Sequence, residues 1–256
     1  KMAEGRAIDP RRLHRLTGGN PFFASEVIAA GGSDIPATVR DLLGSRLLAL
    51  RPRARRALEA AAILGTRVEP WLLAAVTGED LPGIDDAVGA GLVTREATEY
   101  AFRRELTRVA VLDETPAIRA IALHRRALEA LALGSVSDAA RLAHHAEGAG
   151  DGDAVLEHAI AAAHQALQTG AYREGIAQLE RALRFADGEA LRADLLELLG
   201  NAFMDIARGS EADRAWSSAL EIRRRRQDDP RRIGDLLRRI GRAAWWQADG
   251  RRARRL

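Results

Sequence analysis

At 256 residues the chain is long enough for roughly one to three domains with a sizeable core. Its 51 alanines and 4% aromatics favour helix, and the absence of cysteine excludes disulfides and thiolate metal centres. The net charge is only +3, no apolar run is long enough to span a bilayer and no segment has a secretory pattern, so the expected compartment is the cytoplasm.

The first predicted helix covers Arg11 to Leu16 and stops at Gly18-Gly19. A second starts at once: Asn20 is a capping residue, Pro21 suits the first helical position, and Phe22, Phe23, Val27 and Ile28 form an apolar face. Gly31-Gly32-Ser33 reads as a joint. Val39, Leu42, Leu43, Leu47 and Leu50 share one helical face; Pro52 opens the next helix and Gly65 closes it. Glu69 to Val76 and Ile84 to Ala90 are two more, closed by Gly78 and Gly91. The period then changes. Leu92 to Arg95 and Tyr100 to Arg103 flank a short polar link, which suits a β-hairpin. Helices followed by one hairpin predict a winged helix over residues 34–132, with helical returns at 104–114 and 116–131. The helix before the wing carries Asp85 and Asp86 and no base, so phosphate would repel it, and it is a poor recognition helix.

Residues 137–256 repeat. Leu199, Gly200, Phe203, Ala212, Trp216 and Ala219 have tetratricopeptide spacing. Gly170 to Ala182 fits the second half of the preceding unit, and Ile240-Gly241 with Ala244 begins another. The fold class expected is mainly α: a winged-helix domain with one β-hairpin, then a tetratricopeptide-like α-solenoid. Arg251 to Leu256 would fall inside the second helix of a repeat with no capping helix after it, so the chain is expected to be an internal piece of a longer protein.

Lys1 is the only lysine and has no glycine loop before it. A phosphate-binding loop of the G-x-x-x-x-G-K-[ST] type needs a lysine on the β and γ phosphates, so this chain is expected to have no enzymatic activity of its own by that route. The six histidines lack metal-ligand spacing; His144 and His145, adjacent on a helix, point about 100° apart. No catalytic and no metal-binding residue is assigned. Residues 223–256 hold 13 arginines against 4 aspartates, a net +9, which leaves the first 222 residues at −6. Arg223 to Arg226 end a helix, where cations suit its dipole, and a solvated face is the expected role. The rival, direct nucleic-acid binding by this end, predicts a steep salt dependence.

Gly19-Asn20-Pro21-Phe22-Phe23 resembles the motif that closes the nucleotide domain of STAND-type ATPases. Together with Ile35 to Leu43, Leu50 to Gly65, Ala90 to Val93 and Phe102 to Leu106, in that order, the chain is similar to the large ATP-binding LuxR-family regulators, the MalT-like activators. The resemblance implies that residues 1–33 are the tail of a nucleotide-binding domain, 34–132 a winged-helix switch and 137–256 sensor repeats. It implies ATP or ADP as cofactor of the full-length protein, with Pro21 against the adenine and Asn20 beside it. The family carries histidine after the wing, reaching the ADP phosphates; Arg104 stands there, a departure, and its fork suits a phosphate or equally an acid such as Glu105. Implied partners are an inducer ligand or protein on the repeats and a second copy on self-association, with DNA reached only through a domain outside this chain and no membrane. Two alternatives share these residues: a tetratricopeptide scaffold without a switch, and a sensor cassette for a cyclase or kinase.

Overall fold

The computed structural model describes residues 9–17, 19, 21–29, 44–78, 82–134 and 138–246, and it divides into two units, Lys1–Gly134 and Ser135–Leu256. The described residues are mainly helical. None of their helices is long and apolar enough to cross a membrane.

In the first unit, α1 (Pro10–Thr17) and α2 (Pro21–Ala29) precede a short helical stretch at 44–48 and then α3 (Pro52–Leu64). Asn20, Gly18, the joint at 31–33 and residues 39–43 lie outside the described residues. Pro52 and Pro70 both occupy the start of a helix, where the missing N–H would have had no partner. From Ala57 to Leu64 every residue of α3 is buried, so this helix is the axis of the unit. Gly65 ends it, its N–H donating to the Ala61 carbonyl. Then come β1 (Arg67–Val68), α4 (Pro70–Thr77), α5 (Pro82–Gly89), β2 (Val93–Arg95) and β3 (Tyr100–Phe102). Gly78 closes α4 at φ 70°, a left-handed conformation that a β-carbon would strain.

The hairpin expected from the sequence is present, but it belongs to a three-stranded antiparallel sheet of order β1-β3-β2. Val68 pairs with Tyr100, and Arg95 pairs with Tyr100 from the other side. A two-residue strand is too short to show a period, so β1 was invisible to pattern reading. It exists because β3 needs a partner on both edges. α5 crosses α3 so closely that a β-carbon on Gly83 would lie 2.7 Å from the Arg53 carbonyl oxygen.

α6 (Glu105–Glu114) and α7 (Ala117–Ala132) complete the unit. Glu59, 5% exposed on α3, meets Arg55 at 3.3 Å and Arg119 of α7 at 2.7 Å, so the buried charge is paired.

The second unit is a run of helices, each packed on its neighbours in the chain: α8 (Ala139–Ala149), α9 (Gly152–Gln168), α10 (Tyr172–Phe185), α11 (Glu189–Asp205), α12 (Gly209–Arg225) and α13 (Pro230–Trp246). Asp138 and Asp151 cap α8 and α9, their carboxylates accepting from the Arg141 and Ala154 amides. One apolar cluster runs from Ala143 through Leu179, Leu195, Trp216 and Ala219 to Leu236 and Ile240. Small residues set the close approaches: a β-carbon on Gly175 would press Leu167, and one on Gly200 would overlap the Trp216 indole. Residues 247–256, which include the predicted second helix at 251–256, lie outside the described residues, as do the Trp245 and Trp246 side chains.

Charges fasten the helix ends. Glu147 on α8 holds Arg181 at 2.9 Å and Arg184 at 2.5 Å on α10; burial works against its charge, but the two guanidiniums keep its carboxyl below the usual range. Hydrogen bonds from Arg208 and from the Ser210 hydroxyl hold the half-buried Glu211 carboxyl at about 2, against 4.5 ordinarily. A folded pKa below the unfolded one adds stability above the unfolded value and loses it as pH falls through the folded one, here between about 4.5 and 2. Carboxyl NMR titration should place Glu211 near 2 in the parent and return it toward 4.5 in Arg208→Ala.

Candidate functional site

Two elements singled out from the sequence meet in the first unit. α1 and α2 pack on α6: Val27 of α2 with Leu106 and Ala110 of α6 forms a buried apolar cluster, joined by Leu13, Leu16 and Val109. Thr17 is buried at the end of α1, its hydroxyl donating to the Leu13 carbonyl at 2.8 Å. Pro21 starts α2 and is exposed. Arg104 is the residue before α6, half-buried and extended at φ −145°, its carbonyl accepting from the Thr107 amide at 3.1 Å. The helix that begins at Pro21 and the helix that begins after Arg104 are therefore held by one cluster. Arg108 anchors α6 further. It donates to Glu105 at 2.6 Å and to the Ala62 carbonyl at 3.0 Å, near the C-terminus of α3 where a cation suits the dipole.

The sheet end of this unit carries acids, and the bases on β1 and β2 are paired. Asp85 and Asp86 lie exposed on α5. Arg95 of β2 donates to the Tyr100 hydroxyl at 2.9 Å and to Asp85 at 2.7 Å; the bond to Tyr100 and then the Asp85 charge hold its guanidinium above its ordinary value. Arg67 of β1 pairs with Glu96 at 2.7 Å and with Glu99. Asp85 and Asp86 sit on the helix before the hairpin, where the sequence puts them, and Asp85 ties α5 to the sheet.

In the second unit the basic stretch reads differently from its sequence. Arg224, Arg225 and Arg226 are exposed at the end of α12, as expected, but Arg223 is buried, its side chain 3% exposed. It donates to Asp194 at 2.6 Å, to Asp228 at 3.0 Å and to Glu197. Burial lowers its proton affinity, and the three acids more than offset this, raising it above its ordinary value. Arg225 pairs with Glu189 at 2.5 Å, and Arg232 with Asp194 at 3.0 Å. A solvated face was the wrong description of Arg223. Its partners stand 26 and 29 residues earlier, on α11, and only the α11–α12 pairing places them under it. A charge sum over residues 223–256 cannot see this. The one available signal was the i, i+3 spacing of Asp194 and Glu197 on a helix.

No family model matches the chain, and no curated protein matches it. Among solved structures it is similar to the crystal structure of a signal transduction ATPase with numerous domains (STAND), a protein with a tetratricopeptide repeat sensor, from Pyrococcus horikoshii, at 15% identity and a TM-score of 0.44. The match covers 94% of this chain and 48% of that one, so the chain spans about half the length of that neighbour.

Proposed function

We propose that this chain is the sensor and relay segment of a nucleotide-switched transcriptional regulator of the STAND, MalT-like type. The observation that carries the reading is the cluster joining α1 and α2 to α6. It puts the helix starting at Pro21 and the helix following Arg104 in one body, which a nucleotide touching both would require. The order α3-β1-α4-α5-β2-β3, with β1 beside β3, supports reading residues 34–132 as a winged helix. The acids on α5 and the pairing of Arg95 and Arg67 support an internal switch over a DNA reader.

The mechanism is a lock. Pro21 would hold the base of ADP and Arg104 its phosphates, and α6 would then keep the winged helix against the nucleotide domain. An inducer or partner on α8–α13, with ATP, favours the released state, and self-association then presents a DNA-binding domain outside this chain. Ligands shift such an equilibrium only by their differential affinity for its two states, so the nucleotide contacts must be worth more in the locked one.

The test is ADP titration of the intact gene product. Arg104→Ala is expected to weaken ADP binding by about tenfold or more, since a charge-assisted hydrogen bond is worth about 1.5–3 kcal/mol. Pro21→Ala, which trims only an apolar contact with the base, is expected to weaken it by about fivefold, at about 0.8 kcal/mol per buried methylene. Unchanged affinity in both variants overturns the reading.

A further inference from the structure

A cavity of about 330 Å³ opens on the second unit between α11, α12 and α13, lined by Asn201, Met204, Asp205, Trp216, Arg239 and Arg242. Its walls are made by helical spacing. Asn201, Met204 and Asp205 fall at i, i+3 and i+4 along α11, and Arg239 and Arg242 at i and i+3 along α13. Its floor is rigid. The Trp216 ring lies so close to Gly200 that no β-carbon fits there, and its Nε1 donates to the Glu197 carbonyl at 3.3 Å. Arg239 Nη1 donates to Asn201 Oδ1 at 2.7 Å. That bond joins α13 to α11 and leaves the Asn201 amide nitrogen, and the remaining Arg239 N–H groups, as donors.

Two opposite charges complete the lining without meeting. Among the described residues Arg242 and Asp205 form no ion pair with each other or with any other group, whereas Arg223, Arg225, Arg232 and Arg238 on the same two helices each take an acid. The cavity thus offers an arginine pair and an amide for a carboxylate, an aspartate for a cation, and the Met204 and Trp216 surfaces for an apolar body.

We infer that this cavity binds a small zwitterion of the α-amino-acid class, its carboxylate on Arg239 and Arg242, its ammonium on Asp205 and its side chain against Met204 and Trp216. The volume sits at the lower end of small-molecule clefts, about 300–1,000 Å³, which matches a single amino acid and not a long peptide. The inference rests on the repeats being the receiving end of the switch, and names what they receive.

The test is calorimetric titration of the 256-residue chain with each standard L-α-amino acid. At least one is expected to bind with a Kd below about 5 mM. The strongest is then compared with its N-acetyl derivative, which lacks the cation, and its carboxamide, which lacks the anion. Each is expected to bind at least about tenfold more weakly, as is the parent amino acid to Asp205→Asn and to Arg242→Ala. Both side chains are exposed, so the unliganded melting temperatures of these variants should stay at the parent value. Failure of every amino acid to bind overturns the inference. So does a derivative that binds as well as its parent, or binding that both variants leave intact. The loss of ADP affinity in Arg104→Ala is read in the other unit, so either idea can fail while the other stands.

Discussion

Arg223→Ala should destabilise the second unit by about 3 kcal/mol, read as a lower urea midpoint at unchanged m-value. Removing one partner of a buried ion cluster costs about 3–5 kcal/mol, because the charges left behind have lost their counterion. Here the lower end applies. Asp194 keeps Arg232 and has a half-exposed side chain, and Asp228 keeps Arg226 at 3.3 Å. Against a total stability of about 5–15 kcal/mol this is a large fraction, and it should lower the melting temperature by roughly 10 °C. Arg223→Lys should recover only part of the loss, since one ammonium cannot fork to Asp194, Glu197 and Asp228 together. Arg224→Ala, one residue on and exposed, should stay within about 0.5 kcal/mol of the parent. Equal losses in Arg223→Ala and Arg224→Ala would show that the cluster contributes nothing beyond surface charge.

Gly200→Ala separates propensity from packing by its sign. Alanine is the better helix former by about 1 kcal/mol, so helix preference alone predicts a gain. The β-carbon, however, would overlap the indole of Trp216, which is buried and held by its bond to Glu197. Overpacking of this kind costs about 1–3 kcal/mol; an overlap this deep belongs at the upper end, so after the propensity gain the net expectation is a loss of about 1–2 kcal/mol. Gly241→Ala is the matched control. It occupies the corresponding place on α13, where a β-carbon meets nothing within 4 Å among the described residues, and it should stabilise by about 0.5–1 kcal/mol. Trp216→Leu frees the space, so Gly200→Ala should cost at least about 1 kcal/mol less in that background. A stabilising Gly200→Ala in the parent would mean that α11 and α12 do not approach as closely as described.

These experiments mark what was legible in the residues alone. Pro52 and Pro70 at helix starts, Gly65 and Gly78 at helix ends, the hairpin at 93–102 and the small–large spacing of Gly200 and Trp216 were all readable, and the structure has them. Each depends on neighbours within a turn or two: a φ value, a missing N–H, a change of period. What the tertiary structure decided involves partners far apart along the chain. β1 forms only because Tyr100 and Ala101 come back beside Val68 and Arg67. α1 and α2 find α6 across some eighty residues, which brings the Pro21 and Arg104 helices together. Arg223 changes from a solvated cation to a buried anchor when α11 slides its acids beneath it. Arg239 reaches Asn201 across 38 residues, and the cavity beside them exists only once α11, α12 and α13 are stacked. Local chemistry sets where helices start and stop; which charge meets which is settled only by the packing of one helix on another.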